Sequence, residues 1–209
     1  LLVDDFVYEG YPLGNIGMEA VYLPTIANEH IVSLQLMQAN EIIATADGTL
    51  ATGISPQESD SLFANIQLEH FPIHMANAFL PRDIVTTAGK LNGELSVKGA
   101  LSSPRINGMV HLDSVKVHSP LYAVDFRMDK TPVRITDNKL TFDNFQIYAQ
   151  GKNPFTLTGE VNLGNFSRMT TNLQMRATDY ELLNAKENKN SIVYGKAFVS
   201  LFATIKGEL

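Results

Sequence analysis

The chain has 209 residues, 44% of them hydrophobic and 18% charged, with a net charge of −6 and no cysteine. That length suits one sizeable domain or two small ones, and the absence of Cys excludes disulfides, thiolate zinc sites and a cysteine nucleophile. The acidic balance, without any Lys/Arg cluster, argues against a nucleic-acid partner.

The first clear element is a strand in which Val32, Leu34 and Leu36 alternate with Ser33 and Gln35. Side chains of a strand point alternately to opposite faces, so this spacing gives one dry and one wet face. Gly48-Thr-Leu-Ala-Thr follows with the same alternation. The stretch Ser55–Ser61, SPQESDS, reads as a loop, and a soft domain boundary is expected near 55–61. Phe71–Leu80 is the one convincing helix signal, with Pro72 suited to a first turn and Pro81 closing it. His70 and His74 flank its start with Glu69 beside them. The intervening Pro and the order E-H-F-P-I-H depart from metalloprotease spacing, so no metal site is expected.

Gly89–Leu112, GKLNGELSVKGALSSPRINGMVHL, carries the strongest pattern. Leu91, Gly93, Leu95 and Val97 share one parity against Asn92, Glu94, Ser96 and Lys98. After a Ser-Ser-Pro corner, Ile106, Gly108, Val110 and Leu112 repeat it, with His111 on the wet side. In Lys139–Ala149 the parity switches at Asp143-Asn144, from Leu140 and Phe142 to Phe145 and Ile147, which predicts a bulge or tight turn. Gly151-Lys152 lacks the pattern of a phosphate loop. Phe155, Leu157, Val161 and Leu163 form one further dry row, and Met169, Leu173, Met175 and Ala177 another. Tyr180–Lys189 is a second, polar helix candidate. The motif of Gly followed by alternating residues recurs at Gly48, Gly93, Gly108, Gly159 and Gly207, as expected of a sheet that bends repeatedly.

These elements predict a mostly β fold, a long curved antiparallel or mixed sheet with one short helix near 71–80, in a single module spanning 1–209. The dry face is predicted to be lined by Leu95, Val97, Ile106, Val110, Leu112, Phe155, Leu157, Val161, Leu163, Met169, Leu173 and Met175. Periodicity leaves two arrangements open. In a closed sandwich, each apolar face covers another. In an open groove, the face is left for an apolar ligand or partner chain. No nucleophile elbow or converging catalytic cluster is legible, so neither enzymatic activity nor a cofactor is expected. The start at Leu-Leu-Val-Asp-Asp and the end at Gly207-Glu208-Leu209 read as cuts from a longer polypeptide. No apolar run approaches the ~18 residues of a membrane span, so any anchor is expected outside this piece.

The Gly/Leu pattern resembles a known family. Gly89, Leu91, Gly93, Leu95, Gly99, Leu101, Pro104, Gly108, Val110 and Leu112 are similar to the recurring motif of the TamB C-terminal domain, within the AsmA-like superfamily. FPIHMANAFLP (Phe71–Pro81) resembles the short helix that precedes that motif, and Thr136–Leu163 and Gly195–Leu209 resemble later strands. The phrasing is nearest to Bacteroidetes-type homologues. The likeness covers about the last two-thirds of the chain. It implies a taco-like sheet with an apolar interior, and a long protein anchored in the inner membrane of a Gram-negative bacterium and stretched across the periplasm. It also implies phospholipid or another apolar ligand as cargo, and an Omp85-type, TamA-like barrel protein as partner. The alternative it implies is a scaffold for outer-membrane protein assembly or autotransporter secretion, working by strand pairing.

Overall fold

The computed structural model describes residues 1–25, 28–53, 60–78, 85–120, 124–149, 151–165, 168–185 and 195–208. These form one 13-stranded sheet in which every pairing is antiparallel. The first five strands are β1 (Leu2–Tyr8), β2 (Tyr11–Pro24), β3 (Glu29–Gln38), β4 (Glu41–Ala51) and β5 (Ser61–Pro72). The next are β6 (Thr86–Ala100), β7 (Arg105–Ser119), β8 (Val124–Met128) and β9 (Val133–Thr136). The last are β10 (Lys139–Tyr148), β11 (Phe155–Asn162), β12 (Thr170–Ala185) and β13 (Gly195–Glu208). Neighbours in sequence are neighbours in space almost throughout. The exception is that the short β8 and β9 share one lane between β7 and β10.

The mostly β expectation is met, and the strands on either side of 55–61 belong to one sheet. Residues 54–59 lie outside the described residues, but β4 and β5 on either side pair directly, Ala51 opposite Ser61. The helix expected over Phe71–Leu80 is shorter and tighter. Phe71 and Pro72 still belong to β5, paired with Leu91 and Lys90, and a 3-10 helix covers Ile73–Ala78. Residues 79–84 lie outside the described residues. The buried Asn77 explains why the chain holds this turn. Its amide donates to the Thr87 carbonyl at 2.9 Å and accepts the Thr87 N–H at 2.7 Å, supplying the pair of bonds a neighbouring strand would offer.

The second helix candidate, Tyr180–Lys189, is corrected. Tyr180–Ala185 continue β12 and pair with β13, Tyr180 opposite Val199 and Ala185 opposite Gly195; 186–189 lie outside the described residues. Polar composition over 185–190 suggests a fraying helix, but cross-strand pairing up to Ala185 and the burial of Tyr180 override local propensity.

Two devices bend the sheet. The first is a set of bulges at non-glycine residues in left-handed conformation, including His70 (φ 51), Ser114 (φ 53), Asn144 (φ 49) and Asp179 (φ 46). Each falls at a register shift in β5, β7, β10 or β12. A bulge turns its strand and leaves a backbone N–H outside the ladder. A polar side chain on the next strand takes up several of these donors: the His70 N–H donates to Asn92 Oδ1 at 2.8 Å, and that of Asp179 to Ser200 Oγ at 2.9 Å. The parity switch read at Asp143-Asn144 is one of these bulges.

The second device is the recurring glycine. A Cβ at Gly108 would stand 2.1 Å from the Glu94 carbonyl oxygen, and one at Gly159 would stand 2.2 Å from that of Asn172. Both residues have φ values, +154° and +129°, that side-chain-bearing residues rarely adopt. Strand backbones therefore press together where the apolar parity would otherwise place a side chain. Asn107, on the polar parity of β7, is half-buried and accepts the Asp137 N–H at 2.8 Å, so a change there is not a neutral control. The outward, exposed Gln174 serves better. Gly108→Val and Gly159→Val are each expected to destabilise the fold by about 3 kcal/mol or more. Gln174→Val is expected to change it by under ~0.5 kcal/mol. Thermal melts of the three variants check this; equal melting temperatures would remove the structural role of the glycines.

Candidate functional site

Residues paired across neighbouring strands point to the same face, so register defines rows that cross the sheet. One row runs Leu34, Ala46, Ile66, Leu95, Gly108, Ile135, Leu140, Val161 and Thr171, from β3 to β12. Beside it lie Ala64, Val97 and Ile106, and Leu68, Gly93, Val110 and Val133. Leu112 is opposite Leu91, which is opposite Phe71. Across β11–β13 the rows are Leu157, Met175 and Ala203, then Gly159, Leu173 and Ile205, then Phe155, Ala177 and Leu201. Ten of the twelve expected lining residues thus share one face. Leu163 and Met169 do not sit in strands: they belong to the connection between β11 and β12, half-buried there, because β11 ends at Asn162 and β12 begins at Thr170. The strand position between Met169 and Leu173 on the apolar parity is the buried Thr171.

This face is open. Apart from β8 against β12, and the 3-10 helix against β2 and β6, the described elements make substantial contact only with their sheet neighbours. Of the twelve expected residues only Val97, at 9% exposure, is buried; the others are half-buried. No described side chain is less than 2% exposed. The chain's accessible surface is 13323 Å2, whereas a compact monomer of this mass would have ~9,600 Å2. A closed sandwich would bury the rows against a second sheet, and none is present among the described residues.

The sheet does curl at one end. β8 and β12 approach within 8 Å between Cα atoms, although β10 and β11 lie between them in the sheet. Here Val124, Ala149, Ala177 and Tyr180 are each 3–4% exposed, with Phe126, Phe155 and Leu201 packed against them. Tyr180, Phe126 and the β9 pair Val133 and Ile135 were missed as lining residues. A period-two signal was present in Val124-Asp-Phe-Arg-Met and Val133-Arg-Ile-Thr, but both runs are short. Tyr180 was hidden by the bulge at Asp179, which flips parity after Ala177.

The opposite face is largely polar, with Phe63, Phe198 and Phe202 exposed on it. A hollow of about 790 Å3 on it is lined by residues such as Arg134, Thr141, Asp143, Glu160 and Asn172. Beside it the exposed pair Lys139–Glu160, at 3.1 Å, contributes little to stability. No group of three or more His, Asp or Glu residues is placed to hold a metal among the described residues. His70 and His74 serve local packing: the His70 N–H caps on Asn92, and His74 Nε2 lies 3.4 Å from Gln38 Nε2. His118, without an evident partner in sequence, meets Asp125 at 2.7 Å across β7 and β8, and His30 stacks on Tyr22. Size alone would favour the polar hollow, but its wall is open strand surface, and only the other face has continuous chemistry.

Comparison with family models, with curated proteins and with solved structures finds no match.

Burial without a hydrogen-bond partner pushes the Tyr180 hydroxyl up from the usual 10 to about 12. Between these values the unfolded chain loses the proton while the folded chain keeps it, so stability falls as pH rises through that window. The loss is expected to reach about 2 kcal/mol by pH 12. Tyr180→Phe is expected to remove the latest step of tyrosinate absorbance and to flatten this alkaline loss. Denaturant unfolding at stepwise pH checks it; an unchanged profile in the variant would place the ring in contact with water.

Proposed function

We propose that this chain is a segment of a periplasm-spanning, TamB-like protein that shields apolar cargo, most simply phospholipid passing between inner and outer membranes. The observation that carries this is the uncovered apolar face, continuous in register from β3 to β13 and lined by aliphatic and Met side chains. Such a face gains ~0.8 kcal/mol for each methylene it takes from water, and needs no ring of polar groups to do so. Aliphatic and thioether side chains suit cargo that slides, because they impose shape only loosely. The polar side chains that dominate the outer face favour its contact with water.

A second role, as a scaffold in outer-membrane protein assembly, is favoured by the sheet's two edges. β1 and β13 each have one strand neighbour among the described residues. The fourteen-residue β13 presents Phe198 and Phe202 outward, 60% and 73% exposed. Unpaired edges bind extended segments by strand addition, which suits a nascent barrel strand or an Omp85-type, TamA-like partner.

Val110→Asp and Leu173→Asp separate the two. On an open face each leaves a folded sheet but places a charge where acyl chains would lie. Uptake of a fluorescent phospholipid is expected to fall by about tenfold or more in each, equal to ~1.4 kcal/mol, with the circular dichroism spectrum kept. Unfolding of both variants would mean that the face closes on itself. Folded variants with unchanged uptake would shift the function to the edges.

A further inference from the structure

A row on the outer face departs from its polar pattern. In register it runs Leu23, Ile31, Thr49, Phe63, Lys98 and Arg105, from β2 to β7. With strands ~4.8 Å apart, the row is about 24 Å long. Its first part is apolar and faces water: Leu23, Ile31 and Phe63 are 52%, 46% and 39% exposed, and Val21 beside them is exposed too. Single exposed apolar side chains are ordinary, but neighbouring ones mark a contact surface. The second part is cationic. Lys98 and Arg105 are exposed and stand directly opposite each other on β6 and β7. Like charges so placed oppose strand pairing. Neither side chain forms an ion pair among the described residues. Lys98 Nζ lies instead 4.8 Å from the centre of the Phe63 ring, which joins the two parts.

We propose that this row docks on the surface of an anionic phospholipid bilayer, with Leu23, Ile31 and Phe63 entering the headgroup boundary and Lys98 and Arg105 pairing with lipid phosphates. The chain's net charge of −6 repels such a surface, so contact is confined to a place where cations lie unopposed. The two flanking rows hold two acids, Glu29 on β3 and Asp47 on β4, both away from the cation pair on β6 and β7. Asp47 also accepts a hydrogen bond from Ser33 Oγ at 2.6 Å. The row lies on open sheet surface, outside the polar hollows. Buried apolar area plus attraction to anionic lipid is what holds amphipathic elements at an interface, and neither needs a pocket. The proposal concerns the face opposite the apolar rows and does not depend on what those rows carry.

The test uses vesicles of phosphatidylcholine alone and of phosphatidylcholine mixed with phosphatidylglycerol. The wild-type chain is expected to sediment with the anionic vesicles and not the neutral ones, and to be released by high salt. Lys98→Gln and Arg105→Gln are each expected to weaken that binding by about fivefold, the worth of one cation near such a surface. Their melting temperatures are expected to hold or rise, because a like-charge pair is relieved. The chain has no Trp, so Phe63→Trp supplies a single reporter whose emission is expected to shift to the blue on anionic vesicles. Wild-type affinity in the Lys98→Gln/Arg105→Gln double variant would overturn the docking row, and so would Phe63→Trp emission that stays unshifted in vesicle-bound chain. Absence of wild-type binding to anionic vesicles would overturn it too; a dimer in sedimentation velocity that Ile31→Asp dissociates would then assign the row to a second copy. Val110→Asp separates docking from cargo shielding, since it is expected to leave vesicle binding intact. Loss of vesicle binding in Val110→Asp, with the double variant unaffected, would move the membrane contact to the apolar face. Vesicle binding that depends on Lys98 and Arg105 supports docking even where phospholipid uptake fails.

Discussion

A single antiparallel sheet satisfies its backbone laterally but has no second layer to keep its apolar side out of water. Everything else in this chain follows from that constraint. Lateral pairing from β1 to β13 supplies the hydrogen bonds. Dry-side side chains pack only against row neighbours on adjacent strands, so they stay half-buried. The sheet reduces that exposure by bending, and it bends where side chains are removed or registers slip. Glycine on the apolar parity allows backbones to close to distances a Cβ would forbid, as at Gly108 against Glu94 and Gly159 against Asn172. Bulges at His70, Asn144 and Asp179 turn the strands further. Where bending is strongest, β12 folds toward β8 and the face gains its most buried cluster, around Tyr180.

The same geometry links the fold to the proposed function. A face sealed by a second sheet would be stable and closed to cargo, whereas a flat uncovered sheet would invite aggregation. A curved sheet lies between: stable enough through its ladders, yet open to an apolar occupant that completes its burial. Cargo on such a surface stabilises the protein that carries it, since binding to the folded state alone shifts the folding equilibrium.

Much of the fold was legible because period-two alternation is a direct image of a one-sided sheet. The rows through Leu95, Val97, Ile106 and Val110 follow from parity alone, and the Asp143-Asn144 bulge follows from a visible parity switch. Two signals were missed for physical reasons. The bulge at Asp179 sits in a polar run, so the flip that buries Tyr180 has no apolar marker before it. The hollow between β8 and β12 depends on how far the sheet curls, a sum of small bends that no local pattern encodes. The short helix was read too long because the Pro pair suggested both ends of an α-helix, while Asn77 holds a tighter turn by bonding Thr87. Whether the apolar face was covered was not legible at all, since a sandwich strand and an open-groove strand share one alternation.

That last point is the centre of the account, and the absence of cysteine makes it directly measurable. Single cysteines placed at Leu157, at Leu173 and, as a buried reference, at Ala177 can be labelled with a small maleimide under native conditions. An uncovered face gives rapid labelling at 157 and 173 and slow labelling at 177, with lipid slowing the first two. Equal protection of all three until the chain is denatured would mean that the apolar face is covered by protein, contradicting the open sheet and the role built on it.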